Sequence, residues 1–209
     1  MSDIPVPVPS VPSPEPPYAA ALRGQLARSV AAVSALPAMM PAILDAAELM
    51  VSTLRAGGKV LTAGNGGSAA EAMHMAEELS GRYKRNRRSL PGLALVADGT
   101  ALTCIGNDFG FDEAFARQVE GLGAAGDLLV LFSTSGNARN LARALEAARA
   151  KGMRVLALLG RDGGPMRGLA DVEILAPGAS TENIQEAHQV LLHLRLEAVE
   201  QSFPAEVRG

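Results

Sequence analysis

Short apolar runs alternate with stretches of helical periodicity along most of the chain. Lys59–Ala63 (KVLTA), Leu93–Ala97, Asp127–Phe132 (DLLVLF), Met153–Leu159 and Val172–Ala176 hold five to seven residues each. Their apolar positions run on without strict alternation, which reads as strands buried on both faces. Ser68–Ser80, Glu113–Glu120 and Ala138–Lys151 carry helical spacing between them, and Thr181–Gln201 reads as a long closing helix. Ahead of the first strand, Leu22, Leu26, Val30 and Val33 lie three or four apart. That spacing predicts helix from about Tyr18 to Arg55, split in two by Pro37 and Pro41 and ended by Gly57-Gly58. Apolar strands separated by helices define an α/β fold, a five-stranded parallel sheet covered on both faces, preceded by N-terminal helices. No repeat and no second domain is visible, so residues 18–209 are expected to form one domain.

Met1–Pro17 (MSDIPVPVPSVPSPEPP) lies outside this pattern. Proline fixes φ and lacks a donor, so the segment reads as an extended tail. The 209 residues are 48% hydrophobic but only 3% aromatic, with no Trp. The core must therefore be built from Ala, Leu, Val and Met. A formal charge of -3 argues against nucleic acid or an acidic membrane as partner. No apolar run is expected to span a membrane, and the Pro-rich start does not read as a signal peptide. The lone Cys104 excludes an internal disulfide. It is expected to be buried, in a protein of the reducing cytoplasm.

In a parallel sheet, ligands bind at the carboxyl ends of the strands. Gly64–Ser68 follows the first strand and Ser133–Asn137 the third. Ser133-Thr134-Ser135-Gly136-Asn137 offers hydroxyls and free N–H groups at a helix start, where phosphate binds without Lys or Arg. The plain alternative is a turn that caps a helix. Gly64–Ala69 also fits the dinucleotide turn G-x-G-x-x-A, with Asp98 as its acidic partner. A dinucleotide site, however, needs neither the second hydroxyl loop nor a nearby histidine. His74 and Glu78 are four apart and share a helix face; they can chelate a divalent ion or form a surface pair. Gln185 and His193 lie two turns apart on one side of the last helix, whereas His188 is offset and reads as a packing residue. Lys84–Arg88 (KRNRR) reads as a solvated loop and Asn107-Asp108-Phe109-Gly110 as a turn.

The order GNGGS, AMHMAEELSGRY, GNDFGF, STSGN and IQEAH…H, over roughly Ala42 to Val199, closely resembles the bacterial phosphoheptose (sedoheptulose 7-phosphate) isomerases. The resemblance implies the sugar isomerase (SIS) fold and a homo-oligomer, a tetramer with sites completed at subunit interfaces. It implies conversion of D-sedoheptulose 7-phosphate to D-glycero-D-manno-heptose 7-phosphate, the first step toward ADP-heptose. Carried over residue by residue, it implies one Zn2+ per subunit held by His74, Glu78, Gln185 and His193. Asn65, Gly66, Gly67, Ser68, Glu78, Asn107, Asp108, Ser133, Thr134, Ser135 and Gln185 match substrate-contacting positions. Glu78 becomes the base and His193 the acid/base of an enediol mechanism. One departure stands out: the family's STSGNS has a further Ser where this chain has Ala138. The alternative is a non-catalytic SIS-fold binding protein resembling the DnaA initiator-associating protein, whose closing Phe-Pro is similar to Phe203-Pro204. That relative lacks the Glu and last His kept here as Glu78 and His193. A sugar-sensing regulator would need a DNA-binding domain that the N-terminal helices are too short to supply.

Overall fold

Five parallel strands form the centre of the computed structural model, which describes residues 15–205. They are β1 (Val60–Gly64), β2 (Gly92–Ala94), β3 (Leu128–Ser133), β4 (Arg154–Gly160) and β5 (Val172–Ala176). Their spatial order is β2-β1-β3-β4-β5. Leu61 lies opposite Leu93 on one side and Leu129 on the other. Every residue of β1 and β3 is buried, as expected of runs with no polar face. Side chains alternate across the sheet. Val60, Leu128, Val130, Phe132, Leu156 and Ile174 join the core on one face. That face is covered by α2 (Met40–Arg55), α3 (Gly67–Ser80) and α7 (Thr181–Ser202). Leu61, Ala63, Leu129, Leu131, Val155 and Ala157 join the core on the other. There α5 (Ala116–Leu122) and α6 (Arg139–Ala150) form the cover. Aliphatic residues dominate both cores; among the described residues Phe115 and Phe132 are the Phe or Tyr rings exposed by 2% or less.

The N-terminal helices follow the proline pattern. α1 (Ala19–Ser34) ends before a 3-10 turn at Leu36–Met39, and α2 begins at Met40 with Pro41 in its first turn, where a missing N–H costs nothing. The proline-rich tail lies outside the described residues up to position 14. Taken together, Ala19–Arg55 is long and apolar enough to cross a membrane by length and composition alone. The Leu36–Met39 turn interrupts it, and α2 buries Ile43, Met50, Val51 and Leu54 in the sheet-facing core.

Several other expectations change. The second strand ends at Ala94 rather than Ala97, and a helix absent from the sequence reading, α4 (Gly99–Asp108), follows it. Asp98 is its N-cap, accepting from Thr100 N and Ala101 N at 2.9 and 3.0 Å, so it has the role of a cap and not of a ribose ligand. Two glycines and two threonines inside α4 weaken its intrinsic signal. Cys104 lies on α4 and is exposed, not buried. The KRNRR segment is not merely solvated: Arg87 is 8% exposed and donates to the carbonyls of Glu78 at 2.6 Å and Leu79 at 2.9 Å. It closes the C-terminal end of α3, where the last carbonyls lack helical partners.

The strand order reverses between β1 and β3. From β1 the chain turns into α3 on one face, and from β3 into α6 on the other. Two connections leaving in opposite directions open a crevice between them, the place where open α/β sheets take their ligands.

Candidate active site

The crevice is a cavity of about 290 Å³. Its floor and walls come from Asn65, Gly66, Gly67 and Ser68 after β1, and from Ser133, Thr134 and Ser135 after β3. Gln185 and Thr181 of α7 close one side and Ala138 another. Two helix N-termini, those of α3 and α6, meet here. Their unpaired N–H groups and partial positive charge suit an anion. Ser133 Oγ accepts from Gly136 N at 3.0 Å, folding the loop around the cavity. Gly136 itself has φ +64°, and a Cβ there would stand 1.8 Å from the carbonyl oxygen of Gly163. Only glycine closes this turn. Gly67 is needed for a different reason: a Cβ would meet the Gln185 carboxamide nitrogen at 2.3 Å. Its absence lets α7 press the amide of Gln185 against the first turn of α3.

Asn140, behind the cavity wall, is a supporting residue that sequence reasoning missed. It is 3% exposed and exchanges two 2.9 Å hydrogen bonds with Asn65, amide to amide. The pair ties the turn after β1 to the start of α6. Its only sequence signal is its place three residues past the STSGN loop.

A second group of side chains lies further along the same two helices. Gly67 meets Gln185, His74 meets Gln189, and the Tyr83 ring stacks on His193 with centroids 6.0 Å apart. Contacts that advance together along both helices mean that α3 and α7 run parallel. His74 Nε2 lies 3.2 Å from Glu78 Oε1. The His74 and His193 rings meet edge to face at 5.2 Å. His74, Glu77 and Glu78 each offer a ligand atom within 4.8 Å of the others. Imidazole nitrogens and carboxylate oxygens are the donor set a divalent transition metal takes. Burial, together with the nearby His74 charge, holds His193 below its ordinary imidazole pKa against the opposing pull of Glu78. Glu78 and His74 are both half-buried, reachable yet partly desolvated.

The structure therefore brings Asn65, Gly66, Gly67, Ser68, Ser133, Thr134, Ser135 and Gln185 around one cavity. It brings His74, Glu78 and His193 into a second cluster. Gln185 lies with the cavity group, and the amide between the two imidazoles is that of Gln189. Gln189 was missed, although Gln185, Gln189 and His193 share one face at i, i+4 and i+8. Asn107 and Asp108 are exposed at the end of α4, bonded to each other at 2.7 Å, and do not line this chain's own cavity. His188 is fully buried with Nε2–H donating to the Leu159 carbonyl at 3.2 Å, as a packing residue should.

A doubly wound sheet that opens an anion cradle at its switch point is a ligand-binding architecture, and a model of the SIS domain family matches residues 26–160. The phosphoheptose isomerase of Vibrio cholerae is 51% identical over 159 residues, 76% of this chain and 83% of its own. That of Sodalis glossinidius is 50% identical over 165 residues, 78% of this chain and 84% of its own. Among solved structures, the phosphoheptose isomerase of Neisseria gonorrhoeae aligns with TM-score 0.82 and 41% identity, covering 87% of this chain and 98% of its own. The Francisella tularensis phosphoheptose isomerase aligns with TM-score 0.77 and 36% identity, covering 87% and 95%. This chain belongs to the phosphoheptose isomerase family.

Proposed function

We propose that this chain interconverts D-sedoheptulose 7-phosphate and D-glycero-D-manno-heptose 7-phosphate, as a cytoplasmic homotetramer with one zinc ion per subunit. Residues 18–209 form its single SIS domain, and residues 1–17 an appended tail. One observation carries the reading. The parallel helices α3 and α7 hold a neutral, donor-rich cavity at one end (Gly67, Gln185) and an imidazole–carboxylate cluster further along (His74, Glu78, His193). The seven residues from Gly67 to His74 and the eight from Gln185 to His193 span about 10 and 12 Å at the rise of an α-helix. That separation suits a sugar whose phosphate and reacting carbons lie at opposite ends of a seven-carbon chain.

A phosphate in the Ser133–Ser135 cradle anchors the substrate, so binding energy far from the reacting carbons orients them. Glu78 is the group that takes the proton from carbon. His193 stays neutral near pH 7 because its pKa is depressed by burial and by His74, and can pass protons to and from the sugar oxygens. His74, Glu78 and His193 are the residues that would hold zinc; Gln185, the fourth ligand the resemblance implies, lies two turns away at the cavity end of α7. Bound there, zinc supplies Lewis acidity toward the sugar oxygens. Exposed Tyr18, Leu22, Leu26 and Val30 form a stripe along α1 at helical spacing, which supports burial against other copies of the chain. Asn107 and Asp108, exposed on α4, are assigned to a neighbouring subunit's site.

The test is aldose formation from sedoheptulose 7-phosphate by zinc-loaded and chelator-treated protein. Glu78→Gln is expected to keep the melting temperature and lower kcat on the order of 10²–10⁴-fold. Full activity of Glu78→Gln would remove the base assignment. No turnover by the zinc-loaded parent, together with DnaA binding, would replace the enzyme by the binding protein.

A further inference from the structure

Gln189 lies between the two imidazoles of the cluster. Its Nε2 is 2.6 Å from His74 Nδ1 and 3.4 Å from His193 Nε2. On the far side of the His74 ring, Nε2 faces Glu78 Oε1 at 3.2 Å. The two ring nitrogens of a neutral histidine differ, one carrying a proton and the other a lone pair, and the partner of one nitrogen decides the state of the other. With the Gln189 NH2 turned to His74, Nδ1 must be the bare acceptor. The proton is then on Nε2 and donates to Glu78.

A cation between His74 and Glu78 needs the opposite tautomer, because it takes the Nε2 lone pair. The proton must then sit on Nδ1, facing an acceptor. Nothing else is hydrogen-bonded to Nδ1 among the described residues, so the acceptor must be Gln189 Oε1. The two ends of a carboxamide have nearly the same shape, and its terminal torsion is soft and roughly two-fold. A half-turn of that group exchanges donor for acceptor without moving α7. We propose that Gln189 is a positioning residue whose carboxamide sets the tautomer of His74. Its NH2 turned inward holds Nε2–H on Glu78, and its carbonyl turned inward frees Nε2 for a divalent cation. This rests on the cation reading given above. It adds a residue that touches neither the substrate nor the ion.

Two variants separate the outcomes. Gln189→Leu removes both partners of Nδ1, and Gln189→Glu keeps only acceptors. The readouts are zinc affinity, by titrating zinc chloride against a competing chelator, and the His74 tautomer in ion-free protein, by NMR of histidine-labelled samples. The parent is expected to show the Nε2–H tautomer without zinc, and Gln189→Glu the Nδ1–H form. Gln189→Leu is expected to lose about 10–100-fold in zinc affinity, the usual cost of losing the partner behind a ligating histidine. Gln189→Glu is expected to restore it. Zinc affinity of Gln189→Leu within twofold of the parent, with the His74 tautomer unchanged in both variants, overturns the proposal. Should the parent itself bind no zinc, the cation reading fails separately. The tautomer measurement alone then decides: a change between parent and Gln189→Glu supports the role of Gln189, and no change removes it.

Discussion

Ala138 is the position where this chain departs from the STSGNS pattern, and its geometry makes the consequence calculable. It is the N-cap of α6, with φ -74° and ψ 110°, and no side chain bonds the first N–H groups of that helix. It also lines the cavity. A serine hydroxyl here can accept from a first-turn N–H, and Ser in place of Ala at an N-cap contributes about 1 kcal/mol. For a domain of this size that raises Tm by about 2–4 °C. The same hydroxyl can donate to a phosphate in the cavity, and a hydrogen bond to a charged group is worth about 1.5–3 kcal/mol. The lower figure lowers KM, or the inhibition constant of inorganic phosphate, about tenfold. kcat should not change, since the phosphate is held alike in ground and transition states. Ala138→Gly separates the two effects: glycine caps within a few tenths of a kcal/mol of serine but brings no hydroxyl. Calorimetry should therefore rank Ser and Gly together above the parent, while phosphate inhibition should improve for Ser alone. Equal phosphate constants for the Ser and Gly variants would refute a phosphate at this helix start. An unchanged Tm in both would refute the cap.

Arg195 is fully buried on α7, and none of its three guanidinium nitrogens has a hydrogen-bond partner among the described residues. Burial pushes its pKa down to about 9. Arg195→Met is expected to stabilise the protein by about 1–4 kcal/mol at pH 7, read by denaturant unfolding, as replacing a buried charge by a matched apolar group often does. The folded chain releases this proton near pH 9 and the unfolded chain only at a much higher pH. The parent's stability therefore rises across that window, and the advantage of Met narrows there. A loss of stability would mean that the guanidinium holds something in place. Asp127 is a separate case. Burial alone would raise its pKa, but Lys59 and the N–H groups of Lys59 and Ala124 outweigh it and hold the carboxyl below its ordinary value. Its contribution is present above the unfolded value of 3.8 and lost as pH falls through the folded one. Asp127→Asn should thus cost about 1–3 kcal/mol at pH 7 and almost nothing at the acid end, checked by melting temperature against pH.

Local pattern determined the sheet and most of its cover. Runs such as DLLVLF have no polar face, as strands covered on both sides do, so the five strands were legible, the second only at Leu93 and Ala94. The glycine and hydroxyl loops were legible too, because a strand-to-helix turn in such a fold exposes free N–H groups at one edge. Only the tertiary structure decided what depends on neighbours far away in sequence. α4 is held by the Asp98 cap against its own weak propensity, and Arg87 is buried because the open end of α3 and Glu200 of α7 both need its donors. The order in which α3 meets α7 put Gln185 against Gly67 and Gln189 between the imidazoles. Spacing along one helix says which residues share a face. It cannot say which of them the facing helix will meet, because that is set by how closely two backbones approach, here through a glycine with no side chain in the way.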